Sequence, residues 1–243
     1  MAAVCGKVLF LVNDPIATEA LLGDAFVDHG FDVDVFSVVP AGRVDDPAWD
    51  PSFPDVGDYD VVVPLGARWP VYDEALTRTW VGTQTQLMRD AAEAGIALLG
   101  VCFGGQLLAQ AFGGTVTRSP RPEIGWYDVL SDRPEIVPDG PWFQWHFDRW
   151  TVPPGAIEIA RTPNASQAFV LDRAMGVQFH PEVDTALLRS WLADDRDGEA
   201  IAAGLDHHQL LCRTEDLAAS TAPRIRALVS GFLTHVAAGR RPS

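Results

Sequence analysis

Short apolar runs divide the first half of the chain and indicate its buried strands. Residues 7–13, 60–66 and 96–101 are almost wholly apolar, a pattern typical of parallel strands that are covered on both faces. Residues 31–38 instead alternate apolar and acidic positions, which favours a strand nearer the edge of a sheet.

Stretches with helical spacing separate these strands. Residues 17–29 and 74–94 carry apolar side chains at helical intervals, and residues 106–112 carry helix formers followed by two glycines that can end a helix. Because strands alternate with helices, the pattern predicts an α/β fold, a doubly wound, mostly parallel sheet with helices on both faces. Ligands bind such sheets at the carboxyl ends of the strands.

The second half of the chain has a less regular pattern. Residues 115–126 and 127–136 predict additions to the sheet, with an exposed turn at residues 118–122. Residues 186–192 and 222–237 have helical periodicity. The 243 residues and the hydrophobic content of 47% are enough for one large domain with a full core.

One strand–helix junction places a cysteine between glycines. Cys102 follows an apolar run within Gly-Val-Cys-Phe-Gly, the spacing of a nucleophile elbow with cysteine in place of serine. The glycines allow the close chain approach that such a strained turn requires. The N-terminus of the following helix favours a thiolate and can hold a developing oxyanion. A buried structural cysteine is the alternative, and the glycines and the position favour the nucleophile.

A base for this nucleophile stands in Gly-Val-Gln-Phe-His-Pro-Glu, residues 176–182. His180 lies at the tip of a strand predicted to end at Phe179, because Pro181 cannot continue a central strand. Glu182 follows two residues later, so both side chains point the same way in extended backbone. The carboxylate can then hold one ring nitrogen of His180 while the other faces the cysteine. A surface or core histidine is the alternative, which the presence of the cysteine elbow makes the weaker one.

These stretches resemble the class I glutamine amidotransferases, in particular the free-standing group similar to the glutaminase part of GMP synthase. They occur in the family's order over about residues 60–183. The stretches are Gly-Val-Cys-Phe-Gly-Gly-Gln at 100–106, Glu-Ile-Gly-Trp at 123–126, Gln-Trp-His-Phe-Asp at 144–148, Gln-Ala-Phe at 167–169 and Val-Gln-Phe-His-Pro-Glu at 177–182. The resemblance implies a catalytic triad of Cys102, His180 and Glu182.

The resemblance also implies roles outside the triad. Backbone N–H groups of Gly66 and Phe103 would hold the oxyanion of the substrate. Gln106, His146 and Asp148 would bind the substrate, the last two by their match to the family's His-Gly-Asp.

The chain departs from the family pattern beside these residues. Ala67 and Arg68 stand where the family's oxyanion loop has Gly-Pro, Phe147 replaces the glycine of His-Gly-Asp, and Gly105 replaces a larger residue. Phe147 and Gly105 can reshape the pocket, so a γ-glutamyl peptide stays open as the substrate beside free glutamine, whereas Ala67 and Arg68 bear on the geometry of the oxyanion loop.

The resemblance implies a glutaminase that hydrolyses the γ-amide of glutamine through a γ-glutamyl thioester. The ammonia would pass to a separate synthase subunit. A γ-glutamyl peptide hydrolase with the same triad is one alternative, and a catalytically silent regulatory subunit is another, which the intact triad argues against. Residues 5–190 would form the catalytic domain, and residues 191–243 a helical extension packed on it.

Composition argues against several other functions. The formal net charge of −15 argues against nucleic acid as a partner, because phosphate contacts need basic patches. No apolar run approaches membrane-spanning length, so no membrane partner is predicted. Metal-ligand spacing and phosphate-binding glycine loops are also missing, so no cofactor is expected. The widely spaced cysteines Cys5, Cys102 and Cys212 do not suggest a disulfide framework and predict a reducing, cytoplasmic location.

Overall fold

The computed structural model describes residues 6–195 and 198–238, so the predictions for residue 5 and for residues 239–243 lie outside the described residues. The strands are β1 (Gly6–Val12), β2 (Phe31–Ser37), β3 (Val61–Pro64), β4 (Ala97–Val101), β5 (Val116–Ser131), β6 (Gly140–Trp150), β7 (Ile157–Arg161), β8 (Ser166–Leu171) and β9 (Ala174–Val177). The helices are α1 (Ala20–Asp28), α2 (Glu74–Thr77), α3 (Trp80–Glu93), α4 (Phe103–Ala111), α5 (Thr185–Asp194), α6 (Glu199–Ala202) and α7 (His207–Phe232). Short 3₁₀ helices lie at Ala41–Arg43 and Val56–Asp58, and a π-helical turn, Leu233–Ala237, follows α7.

The strands described form one sheet in the order β2-β1-β3-β4-β9-β8-β7-β5-β6. Every neighbouring pair from β2 to β9 is parallel, and every pair from β9 to β6 is antiparallel. The predicted fold class, a doubly wound and mostly parallel sheet with helices on both faces, is confirmed. An antiparallel extension continues the parallel sheet beyond β9.

Alternate residues of the parallel strands contribute to two cores, one on each face of the sheet. In β1, Val8 and Phe10 pack in a core with residues of α1 and α7. Leu9 and Leu11 pack in the other core, with residues of α3 and α4. Because both faces of β1, β3 and β4 are covered, these strands appear in the sequence as continuous apolar runs, whereas the edge strand β2 alternates apolar and acidic residues.

Two helices of the first half differ from the prediction. The helix predicted at 17–29 begins only at Ala20, after a loop. The helix predicted at 74–94 is divided into α2 and α3, with the break near Thr79. Gly82 permits this break, because a Cβ there would lie 2.3 Å from the carbonyl oxygen of Thr77. Helical periodicity continues across the break, which is why the pattern indicated one helix.

Three elements of the second half also differ. The exposed turn predicted at 118–122 is part of β5, whose register with β6 shifts between Arg118 and Glu123. The last helix begins at His207 rather than residue 222, because its first half has few buried positions and so little apolar signal. β9 ends at Val177, two residues before the predicted end.

Among the residues that the structure describes, none of the helices combines the length and hydropathy that crossing a membrane requires.

Candidate active site

Cys102 lies at the sharp turn between β4 and α4. Its backbone φ is +51° and its ψ is −108°, a conformation that residues other than glycine rarely adopt. Two glycines make the turn possible, because a Cβ on Gly100 would lie 2.5 Å from the Gly104 carbonyl oxygen and one on Gly104 would lie 1.9 Å from that of Pro64. Strained backbone of this kind is concentrated at functional sites.

The start of α4 surrounds the cysteine with unpaired donors. Cys102 is the N-cap residue, and its carbonyl oxygen accepts the bond from the Gln106 N–H at 2.9 Å. The N–H groups of Phe103, Gly104 and Gly105 therefore have no acceptor within the helix. Together with the helix dipole, these groups stabilise negative charge near the cysteine.

His180 is held by Glu182 in a buried pair. Nδ1 of His180 and Oε1 of Glu182 lie 2.7 Å apart, and the backbone N–H of His180 donates to the Phe143 carbonyl oxygen. Nε2 is buried without a hydrogen-bond partner among the described residues. Burial lowers the pKa of His180, but the charges of Glu182 and Cys102 outweigh burial and raise it well above its usual value.

Residues 65–70, which we call the β3 loop, complete this centre. A Cβ on Gly66 would lie 2.9 Å from Cε1 of His180 and 3.8 Å from Cβ of Cys102. The carboxyl ends of β3, β4 and β9 thus meet around one cavity of about 420 Å³. No cluster of three or more His, Cys, Asp or Glu in the described ranges is arranged to hold a metal ion.

Trp191 covers the histidine, and Trp145 packs against Trp191. The Trp191 ring meets that of His180 edge-on, with centroids 4.8 Å apart, and Trp145 lies 5.9 Å from Trp191. The Trp191 indole N–H donates to the Ile16 carbonyl oxygen at 3.2 Å. His180 is 6% exposed and Glu182 is fully buried, so their interaction is stronger than it would be in water. Nothing in the sequence marked Trp191, because α5 carries no motif that links it to the cysteine.

Gln106 lines the cavity, but its side chain is engaged with protein groups. Its Nε2 donates to the Asp148 carbonyl oxygen at 3.4 Å and to Oε1 of Gln178 at 3.3 Å. Gln178 in turn directs Nε2 at Sγ of Cys102, 3.6 Å away. The sequence analysis did not assign Gln178. Its position two residues before His180 was an available signal, because alternate residues of an extended segment share a face.

His146 also lies at the cavity, yet both of its ring nitrogens are engaged elsewhere. Nε2 lies 3.0 Å from Oε2 of Glu123, and Nδ1 lies 2.9 Å from the Asp148 carbonyl oxygen. Burial raises the pKa of Glu123, but the hydrogen bond from His146 and further polar contacts lower it on balance. This arrangement leaves neither ring nitrogen for a substrate and fixes the backbone of β6 instead.

An opposite charge pair faces the mouth of the cavity. The Asp148 carboxylate accepts a hydrogen bond from the Tyr72 hydroxyl at 3.0 Å. Arg118 lies opposite Asp148 in the register of β5 and β6, so the two side chains share one face of this two-stranded β5–β6 ribbon. The Arg118 guanidinium also stacks over the Phe147 ring, 4.5 Å from its centroid. The sequence analysis missed Arg118, because the pattern placed it in an exposed turn.

Comparison with known proteins connects this geometry to a family. The family model of glutamine amidotransferase class-I matches residues 60–194. A crystal structure of a glutamine amidotransferase from Thermotoga maritima matches with a TM-score of 0.80 and 25% identity, over 94% of this chain and 98% of that one. One from Methylobacillus flagellatus has the same fold, with a TM-score of 0.79 and 23% identity over 100% and 98% of the two chains.

Several GMP synthases are similar to this chain over part of their length. The GMP synthase [glutamine-hydrolyzing] of Aeropyrum pernix is 32% identical over 165 residues, which are 57% of this chain and 32% of the relative. That of Thermomicrobium roseum is 37% identical over 126 residues, or 45% and 23%. The chain thus spans less than a third of the length of these relatives. By its family-model match, its fold and these relatives, the chain belongs to the class I glutamine amidotransferase family.

Proposed function

We propose that this chain hydrolyses the γ-amide of glutamine with Cys102, His180 and Glu182 as a catalytic triad. The observation that carries the proposal is that a strained cysteine at a helix N-terminus and a carboxylate-bound histidine line one cavity. This is the arrangement of nucleophile, base and orienting group that covalent acyl transfer needs. The named relatives are glutamine-hydrolysing enzymes, which supports glutamine as the substrate.

In the first half-reaction, the Sγ proton of Cys102 moves to Nε2 of His180. The thiolate attacks the γ-carboxamide carbon, a C–S bond forms, and the carbonyl π electrons move onto oxygen. Backbone N–H groups of Gly66 and Phe103 stabilise this oxyanion. The intermediate then collapses, and the C–N bond breaks as His180 protonates the nitrogen. Ammonia departs, and a γ-glutamyl thioester remains on Cys102.

In the second half-reaction, water replaces the amine. His180 takes a proton from the water as its oxygen attacks the thioester carbon, and collapse of the new intermediate breaks the C–S bond. The proton returns to Cys102 and glutamate is released. Glu182 keeps the imidazole oriented throughout and stabilises its charged form.

The charge pair at the cavity mouth suits the α-amino acid end of the substrate. In our proposal the guanidinium of Arg118 receives the α-carboxylate and the carboxylate of Asp148 receives the α-ammonium. Gln106 and His146 were predicted to bind the substrate, and in our proposal they support the site indirectly by fixing other groups in place. Gln106 fixes Gln178 beside the nucleophile, and His146 fixes the strand that carries Asp148.

The remaining predictions belong to the same proposal. Ammonia would pass to a synthase partner, as the names of the relatives suggest. A reducing, cytoplasmic location would keep Cys102 as a thiol. Residues 5–190 would form the catalytic domain, and the extension that starts at residue 191 would contribute walls of the cavity, because Trp191 and Asp195 line it.

Release of ammonia and glutamate from glutamine by the purified chain tests the proposal. We expect activity in the wild type and in Cys212→Ala, which removes an exposed cysteine, and loss of about 10⁴-fold or more in Cys102→Ala. A glutamine diazo analogue should label Cys102, as peptide mass spectrometry would show. Turnover of γ-glutamyl dipeptides without turnover of glutamine would favour the peptide hydrolase. A protein that hydrolyses neither substrate and is not labelled by the diazo analogue would be a silent subunit.

A further inference from the structure

Arg68 anchors the β3 loop to the loop that follows β1. Its backbone N–H donates to Oδ2 of Asp14 at 3.1 Å, and its guanidinium donates to both carboxylate oxygens, at 2.7 Å through Nε and 2.9 Å through Nη2. One carboxylate thus holds both the main chain and the side chain of the same residue. A planar fork of this kind fixes geometry as well as charge.

The anchor is itself immobilised. Asp14 is 3% exposed, its Oδ1 also accepts from the Ile16 N–H at 3.1 Å, and its carbonyl oxygen accepts from Ala17. The neighbouring Asn13 donates through Nδ2 to the Leu65 carbonyl oxygen at 2.9 Å, at the start of the β3 loop. The loop is therefore held at two points on either side of Gly66 by consecutive residues of one rigid turn.

A third contact reaches the C-terminal helices. Nη1 of Arg68 lies 2.7 Å from Oδ2 of Asp194, the last residue of α5. The Arg68 side chain is only 28% exposed and lies on the cavity wall. Arg68 thus connects the β1 loop, the β3 loop and the end of α5 at the edge of the site.

We propose that Arg68 is a positioning residue, which holds the β3 loop so that the Gly66 N–H meets the oxyanion. This rests on the proposed function, in which Gly66 supplies one of the two donors. Among the described residues, no acceptor binds that N–H, whereas its neighbours Leu65 and Arg68 donate theirs to Leu11 and Asp14. An oxyanion donor must be held within a fraction of an ångström, and the Asp14–Arg68 fork supplies that constraint.

The test compares Arg68→Ala with wild type in kcat, in KM for glutamine, and in the affinity of a glutamate γ-aldehyde. The aldehyde adds to Cys102 and places its oxygen where the oxyanion forms, so its affinity reports the position of Gly66. We expect kcat and aldehyde affinity each to fall about 10²-fold, with KM within about threefold. Arg89→Ala is the control, since Arg89 is an exposed arginine outside the cavity lining whose Nε donates to the Ala111 carbonyl oxygen.

Further variants guard against loss of folding, because Arg68→Ala leaves Asp14 buried without its partner. Asp14→Asn/Arg68→Gln removes both charges together and should lower kcat by a similar factor. Arg68→Lys should be intermediate, because an ammonium keeps the charge but not the fork. Asp14→Ala/Arg68→Ala should lose no more kcat than either single variant.

Two results would overturn the positioning role. One is a folded Arg68→Ala protein with the kcat and aldehyde affinity of the wild type. The other is a rise in KM at constant kcat, which would make Arg68 a substrate contact instead. A wild-type chain that hydrolyses neither glutamine nor γ-glutamyl peptides would refute the proposed function itself, so the two failures are distinguishable.

Discussion

The parallel and antiparallel halves of the sheet contribute different parts of the site. The segments that follow β3, β4 and β9 carry Gly66, Cys102 and His180. Main-chain geometry fixes the first two, and Glu182 holds the ring of the third. The β5–β6 ribbon carries Arg118 and Asp148, which reach the cavity through their side chains. The comparison suggests that the parallel half determines kcat and that the ribbon determines the affinity for the substrate.

Among the substitutions that compare the two halves, Glu182→Gln should have the largest effect, because it leaves His180 in place but removes the charge that orients it. We expect kcat to fall by about 10²- to 10⁴-fold with little change in KM. The measurement is steady-state glutamine hydrolysis, with the fold checked by circular dichroism. A rise in KM alone would contradict the division between the two halves.

The same variant makes a prediction for pH. Burial lowers the pKa of His180, but the charges of Glu182 and Cys102 raise it well above its usual value, so the protonated ring that the leaving amine needs is lost only as pH rises through this raised pKa. The stability that the pair contributes follows the same sign, full below about pH 6.5 and lost as pH rises through the raised pKa. Without the charge of Glu182, the largest of the effects that raise this pKa is lost, so the alkaline limb of kcat/KM should move to lower pH. An unmoved limb would mean that another group titrates there.

Gly66→Ala should have the second largest effect. The added Cβ would lie 2.9 Å from the His180 ring, so either the ring or the β3 loop must shift. We expect kcat to fall about 10²-fold, the loss typical of a displacement of about 1 Å at a reacting centre. Gly42→Ala is the matched control, because nothing lies within 4 Å of a Cβ there and it should behave as wild type. Equal activity of the two variants would show that the loop is not part of the oxyanion site.

Arg118→Ala should have the smallest effect, and it should act on KM and not on kcat. Loss of a hydrogen bond between charged groups is worth about 1.5 kcal/mol or more, so KM should rise about tenfold or more at nearly constant kcat. Arg121→Ala, an exposed arginine on the same strand that does not line the cavity, is the control. A selective loss of kcat would place the ribbon in the chemical machinery and remove the contrast between the halves.

The sequence predicted best where a residue is constrained by its immediate neighbours. The apolar runs indicated the parallel strands, because such strands are covered on both faces. The glycines around Cys102 indicated the tight turn, because only they allow the strand and helix to approach. The spacing of His180 and Glu182 indicated their contact, because alternate residues of an extended chain share a face.

Contacts between distant segments were decided only by the tertiary structure. Trp191 covers His180, Arg68 binds Asp14 and Asp194, and Arg118 faces Asp148 without any local pattern that marks these pairs. The same holds for His146, which lines the cavity but whose Nε2 is bound to Glu123. Local sequence patterns report burial and backbone constraints within an element, whereas the partner of a polar side chain depends on which elements the fold brings together.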